Sequence, residues 1–261
     1  MNNSTLGGLI KDYRTQKGIS QLDIAFALGW KEPSRLSRIE QGRTEKPTRE
    51  IIDKIIAAIG LSEEEKNVLL FTGGYLPTEE EILKIREKTD KTLKEWLYPA
   101  CLMDFSWRLI DGNRQIGELF LLSPEMEQDL YKSKVRVLDL LFSQKMQHDQ
   151  PIAQKYVFPF LKETIMEFKY EHKQRTKEKW YIEHIKRLME NDLFRKLWSE
   201  SIVDTETNVV LGKYAVKHFI NPKDSKKILR FHLFVVPVLQ DPRFSLELHV
   251  PMDIETYNYY L

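Results

Sequence analysis

Along the first third of the chain, apolar residues recur every three to four positions between clear stop signals, a pattern that predicts short amphipathic helices. Leu6, Leu9, Ile10 and Tyr13 share one helical face, and Gly18 ends that run. Ser20 with Asp23 opens a second helix whose inward face is expected to be Leu22, Ala25 and Leu28, ending at Gly29. A third begins near Pro33 and carries Leu36 and Ile39 inward before Gly42. Pro47 and Thr48 open a fourth with a stripe of Ile51, Ile52, Ile55, Ile56 and Ile59. Ser62 with Glu65 caps a fifth, which packs Val68, Leu69 and Leu70 before Gly73 and Gly74.

The pattern then changes twice. Thr78 with Glu81 starts a charged helix reaching about Trp96, with Ile82, Ile85, Leu93 and Leu97 as sparse apolar positions, and it reads as a connector solvated on much of its surface. After Pro99 an apolar stretch meets the turn signal Asp111-Gly112, predicting one or two short strands before a helix through Ile116, Leu119 and Phe120. Residues from about Lys134 to Ser199 read as helical, with Asp192 expected to cap the last helix. Three β-rich runs close the chain: Val209 to Ile220, Ile228 to Leu239 and Phe244 to Val250. The expected fold is a mainly α five-helix domain over residues 1–77, a connector helix over 78–97, and an α+β domain with an antiparallel sheet over 98–261.

Composition narrows the classes. Forty Lys and Arg against 39 Asp and Glu leave a net charge of +1, which excludes a polyelectrolyte or histone-like chain. Hydrophobic residues at 42% are enough to fill a sizeable core. The single cysteine, Cys101, excludes an intrachain disulfide framework and a cysteine-based zinc finger, and reads as a small buried hydrophobe. No apolar run approaches the roughly 18 residues of a membrane span. Met1 to Thr5 are polar, without a signal-peptide layout, so a cytoplasmic protein with no membrane partner is expected.

Charge is nevertheless uneven. From Lys31 to Arg49 six cations (Lys31, Arg35, Arg38, Arg43, Lys46, Arg49) face three acids (Glu32, Glu40, Glu45). A local basic face is what phosphate binding needs, because each neutralised phosphate releases counterions. The second and third helices, joined by a tight turn at Gly29, have the spacing of a helix-turn-helix, whose second helix enters a major groove about 12 Å wide. The segment from Gly18 to Ser62 resembles the Cro/C1-type (XRE) helix-turn-helix family, through Ser20-Gln21, the run Leu36-Ser37-Arg38-Ile39-Glu40-Gln41-Gly42, and Pro47. The resemblance implies a double-stranded DNA operator as partner. It implies DNA contacts from Gln21, from Ser34, Arg35, Ser37 and Arg38 on the recognition helix, and from Arg43 and Lys46 after it, with Leu36 and Glu40 structural. The turn Trp30-Lys31-Glu32-Pro33 is about one residue longer than that family's usual spacing.

Further on, Pro99-Ala100, the run Trp107 to Asn113, and Leu119-Phe120 are similar to the start of PAS-like sensor domains, where two strands lead into a helix after an Asn. The run LMENDLFRKLWSE, Leu188 to Glu200, followed by strands, resembles the ligand-binding domain of MmyB-like transcription regulators, which carry an XRE-type headpiece. The resemblance implies a small-molecule effector held between sheet and helices, with no obligatory cofactor and a small apolar molecule such as a fatty acid as the expected ligand. Phe105, Trp107, Phe120, Phe142, Trp198 and Phe231 are the candidate ligand-binding residues. Aromatics at such spacings are more often close-packed core than pocket wall.

Other constellations point to no chemistry. His218, His232 and His249 fall one to each β-rich run, but His232 shares a face with Arg230 and His249 with Glu247, as expected of a solvated side, so no metal site is expected. Glu163, Glu167 and Glu171 read as an exposed acidic stripe. No nucleophile-elbow, zincin, P-loop or dinucleotide fingerprint occurs, and catalysis is not expected. The expectation is a DNA-binding regulator, a homodimer with a small-molecule sensor. The alternatives are a protein-interaction module built on the same helices, or an enzyme tethered to such a headpiece.

Overall fold

The computed structural model describes residues 5–123, 125–126, 133, 135–143, 151–202 and 216–261. The expectations for 134, 144–150 and 209–215 lie outside the described residues. The chain forms two compact units, one of Met1–Pro77 with Val238–Arg243, the other of Thr78–Pro237 with Phe244–Leu261.

The first unit is α1 (Leu6–Gln16), α2 (Gln21–Ala27), α3 (Ser34–Glu40), α4 (Arg49–Ile59) and α5 (Glu63–Thr72). Local chemistry sets their ends. Ser20 and Ser62 each accept from a backbone N–H three residues on while Asp23 and Glu65 reach back, closing two capping boxes. Gly18, Gly29, Gly42 and Gly60 end helices with positive φ, where a side chain would be strained. The core is Ile10, Ile24, Leu36, Ile52, Ile55, Leu69 and Leu70. On α2 the inward face is Ile24, Ala25 and Leu28; Ala25 and Leu28 are as expected, whereas Leu22 is exposed and Ile24 takes its place. Gly7 explains how closely α1 meets α3: a Cβ there would lie 2.3 Å from the Ile39 carbonyl oxygen and 2.6 Å from that of Glu40. Within the same unit Arg243, fully buried, donates to Asp241 and, at 3.1 Å, to Asn67 Oδ1.

The second unit begins with α6 (Glu79–Glu95). This helix, expected as a solvated connector, packs on the first two strands, with Ile82, Ile85 and Leu93 buried and Arg86 bonded to Asp111 at 3.1 Å. Strands β1 (Ala100–Asp104) and β2 (Leu109–Gly112) lead into α7 (Arg114–Leu119). The helices α8 (Val137–Leu141), α9 (Pro151–Glu171), α10 (Lys179–Leu188) and α11 (Asp192–Glu200) follow. Asn191, not the expected Asp192, caps α11 by accepting from the Phe194 N–H. Strands β3 (Val216–Asn221), β4 (Asp224–Pro237) and β5 (Phe244–Pro251) complete an antiparallel sheet in the order β2-β1-β5-β4-β3, so the first and last strands lie side by side at its centre. A short α12 (Ile254–Tyr259), absent from the sequence reading, packs on β4 and β5.

Two polar devices hold this unit. Asn113 makes four hydrogen bonds, donating to the Trp96 and Tyr98 carbonyls and accepting from Ala100 N and Ile116 N, which joins α6, β1 and α7. At the β1–β2 turn Asp104, with its side chain fully buried, accepts from Ser106 N, Ser106 Oγ, Arg108 N and Arg108 Nε between 2.7 and 3.2 Å. That cage holds Trp107 at φ 61°, a left-handed conformation rare outside glycine.

Candidate nucleic-acid interface and buried cavity

The α2–α3 connection is built from backbone bonds: Gly29 N–H donates to Phe26 O at 2.9 Å and Trp30 N–H to Ala25 O at 2.8 Å. Trp30 packs against the core, and the Arg35 guanidinium lies 4.5 Å over its ring. Ser34, Arg35 and Arg38 line one surface groove with Trp30, Lys31, Glu32 and Thr44. Ser34 Oγ donates to Glu32, and Ser37 Oγ accepts from Gln41. Arg38 and Arg43 are exposed, and neither guanidinium has a partner among the described residues. Gly42 turns the chain at φ 65° so that Arg43 N–H caps the Arg38 carbonyl at 2.9 Å, bringing the two backbones together.

Two expected contact residues are differently engaged. Gln21 Nε2 donates to Glu40 at 2.7 Å, and the same carboxylate, 2% exposed, accepts two bonds from Arg14. Gln21 therefore belongs to a polar lock joining α1, α2 and α3. Lys46 lies outside the groove, bonded to the Gly74 carbonyl at 3.0 Å and 4.7 Å over the Tyr75 ring. Neither arrangement could be read locally, because the partners are distant in sequence.

Residues 5–69 match the family model of a helix-turn-helix domain. The match spans α1 to most of α5 and supports DNA binding by a regulator. None of the curated proteins compared with the chain matches it. Among the described residues no helix is long and apolar enough to cross a membrane.

The second unit contains a small cavity of about 30 Å³. Trp107, Phe120, Phe160 and Phe219 supply aromatic walls, and Val137, Leu141 and Leu233 aliphatic ones. Of the six aromatic candidates, Trp107 and Phe120 reach it. The other four pack elsewhere: Phe105 on Trp180, Phe142 on Phe194, Trp198 on Phe194 beneath Lys169, and Phe231 among Phe219, His249 and Tyr260.

Polar residues that the sequence assigned to solvent also face this cavity. Lys217 and Glu167, with side chains 8% and 12% exposed, pair at 3.1 Å, and Glu247 and His249 stand beside them. Of the expected acidic stripe, Glu163 and Glu171 are exposed, Glu171 also accepting from Trp107 Nε1 at 2.8 Å, while Glu167 turns inward. The expectation of a solvated face for His249 and Glu247 is likewise overturned, since His249 is 3% exposed. Its Nδ1 donates to the Pro99 carbonyl at 3.1 Å, and burial, then Lys217, pushes its pKa down to about 3. Burial pushes the Glu247 carboxyl up to about 7, opposed by Lys217 and assisted by Glu167 and Glu171. Cys101, buried on β1, donates to Glu247 at 3.9 Å, and burial pushes its thiol well up. His218 and His232 alternate with the inward residues Lys217 and Leu233, so the three histidines do not converge. Among the described residues no group of three His, Cys, Asp or Glu is placed to hold a metal ion.

The raised Glu247 carboxyl has a thermodynamic signature. The unfolded chain releases this proton near its ordinary 4.5, the folded chain near 7, so the stabilisation is present below 4.5 and lost as pH rises through 7. Glu247→Gln removes that term. Between about pH 5 and 8 the variant is expected to gain about 1–2 kcal/mol relative to the parent, a figure reduced for the group's partial exposure. Urea denaturation at several pH values measures it, and parallel pH profiles would refute the assignment.

Proposed function

We propose that the protein is a sequence-specific transcription regulator of the XRE type, working in the cytoplasm as a homodimer whose second unit is a PAS-like, MmyB-like sensor. The observation that carries the DNA-binding reading is the pair of exposed, unpartnered guanidiniums, Arg38 on α3 and Arg43 just after it, within the matched helix-turn-helix domain. α3 is the recognition helix; Arg38 reads a base edge and Arg43 holds a phosphate. A symmetric dimer sets two such helices about one DNA turn apart, roughly 34 Å. The sensor reading is supported by two strands leading into α7 behind Asn113 and by a cavity with aromatic walls under the sheet. Output comes from binding, not catalysis. An effector that prefers one arrangement of the dimer shifts operator affinity by about 1–3 kcal/mol.

The test separates base from phosphate contacts. On a duplex enriched from a random pool, Arg38→Ala is expected to cost about 1–3 kcal/mol and relax base preference. Arg43→Ala is expected to weaken all sequences alike and lower the slope of log K against log salt by about one unit. Fluorescence anisotropy across a salt series reads both. Equal loss of specificity in the two variants refutes the division of roles. Failure to bind any duplex at low salt favours a protein-interaction module.

A further inference from the structure

We propose that Trp30 is a positioning residue for base recognition: its ring holds the Arg35 guanidinium in place, and Arg35 so held reads a guanine in the operator. The proposal rests on the DNA-binding reading of the same surface and names a base pair which that surface recognises. The first ground is contact. The Arg35 guanidinium lies 4.5 Å from the centroid of the Trp30 ring, and both residues line the groove with Lys31, Glu32, Ser34 and Arg38. Arg35 is exposed, and its side chain makes no ion pair or hydrogen bond among the described residues, so its N–H groups are free for a ligand.

The second ground is rigidity. Trp30 is half-buried and packed on the core of the first unit, and its backbone N–H donates to the Ala25 carbonyl at 2.8 Å. Held through both backbone and ring, it is a fixed platform. A free arginine gives up much rotamer freedom when it binds a base, whereas one already resting on a fixed ring gives up less. Arg38 and Arg43, which no partner holds among the described residues, meet the full cost.

The third ground is the chemistry of the groove. An arginine over a ring engages it through its face and keeps its N–H edge, and that edge matches O6 and N7 of guanine in the major groove. Glu32 lines the same groove and accepts from Ser34 at 3.0 Å. Its carboxylate repels phosphate and favours base edges, where the amino group of the paired cytosine is a suitable donor. A base is therefore a better partner for Arg35 than the DNA backbone.

Base-pair substitutions along a duplex enriched from a random pool, read by fluorescence anisotropy, decide the matter on the full-length protein. One G·C pair is expected whose replacement costs the parent roughly tenfold in affinity and whose identity depends on Arg35. Arg35→Gln, an exposed substitution, is expected to move the preference at that pair to A·T, since glutamine pairs with N6 and N7 of adenine. Trp30→Leu is expected to lower discrimination at that pair by roughly threefold, the worth of an exposed cation–π contact, while the pair read by Arg38 and the salt slope stay as in the parent. Trp30→Phe keeps a ring and is expected to restore the discrimination. Arg35→Gln that weakens all sequences alike overturns the guanine reading and leaves DNA binding standing. Unchanged discrimination in Trp30→Leu, or equal loss at every pair in both Trp30 variants, makes Trp30 a core residue alone and overturns its positioning role. A parent that binds no duplex overturns the DNA-binding reading as well.

Discussion

Asp104→Ala is expected to destabilise the second unit by about 3–5 kcal/mol, the range for removing one partner of a buried ion pair. The carboxylate is fully buried and accepts four hydrogen bonds within the β1–β2 turn. Without it the Arg108 guanidinium, whose side chain is 7% exposed and whose Nη2 already lacks a partner, is left as a buried charge. Arg136, close enough for its own charge to be favoured by Asp104, loses the same counterion. Trp107 would also lose the cage that keeps it left-handed, so the cavity wall would move with the turn. Urea denaturation followed by circular dichroism gives the loss directly. Asp104→Asn keeps an acceptor for the backbone and drops the charge; it is expected to recover part of the difference. A loss under about 1 kcal/mol for Asp104→Ala would mean that the pair is dispensable.

In the first unit the largest effect is expected from one methyl group. Gly7→Ala sets a Cβ against two carbonyl oxygens at the end of α3, and backbone cannot turn aside as a side chain can. α1 must retreat from α3, which costs about 3 kcal/mol or more, the upper part of the range for overpacking. The retreat draws Arg14 away from Glu40 and frees the end of the recognition helix, so duplex affinity should fall with stability. Gly8→Ala is the control. Its Cβ meets a single side-chain oxygen, that of Thr5 at 3.2 Å, and alanine favours the helix by about 1 kcal/mol. Differential scanning calorimetry should show a lower Tm for the first substitution and little change for the second. Equal Tm values for both would show that the α1–α3 contact is slack.

What could be read from the sequence was what neighbouring residues decide. The capping boxes at Ser20, Ser62 and Thr78 and the left-handed glycines depend on partners within four residues, and those helix ends lie where the pattern put them. The antiparallel character of the sheet was legible from alternation and turn residues. The covered face of β5 was not. A period-two reading assigns a strand carrying Glu247 and His249 to solvent, because it cannot know that Lys217 and Glu167, fifty residues apart, pair in front of them. The α3 cations were visible as a charge cluster, yet Lys46 within that cluster is tethered to a carbonyl 28 residues away. Of the four cavity candidates that pack elsewhere, Phe142 and Phe231 are core aromatics and Phe105 and Trp198 are half-buried, since size and apolarity are the same in a wall and in a close-packed layer.

Pro99 holds His249 twice, its carbonyl accepting both the backbone N–H at 2.9 Å and the ring Nδ1–H. That grip selects one tautomer. The ring is neutral across the physiological range and protonated at Nδ1. In a nitrogen-detected spectrum the Nδ1 signal therefore follows the integrity of the β1–β5 junction, a reporter built into the sheet itself.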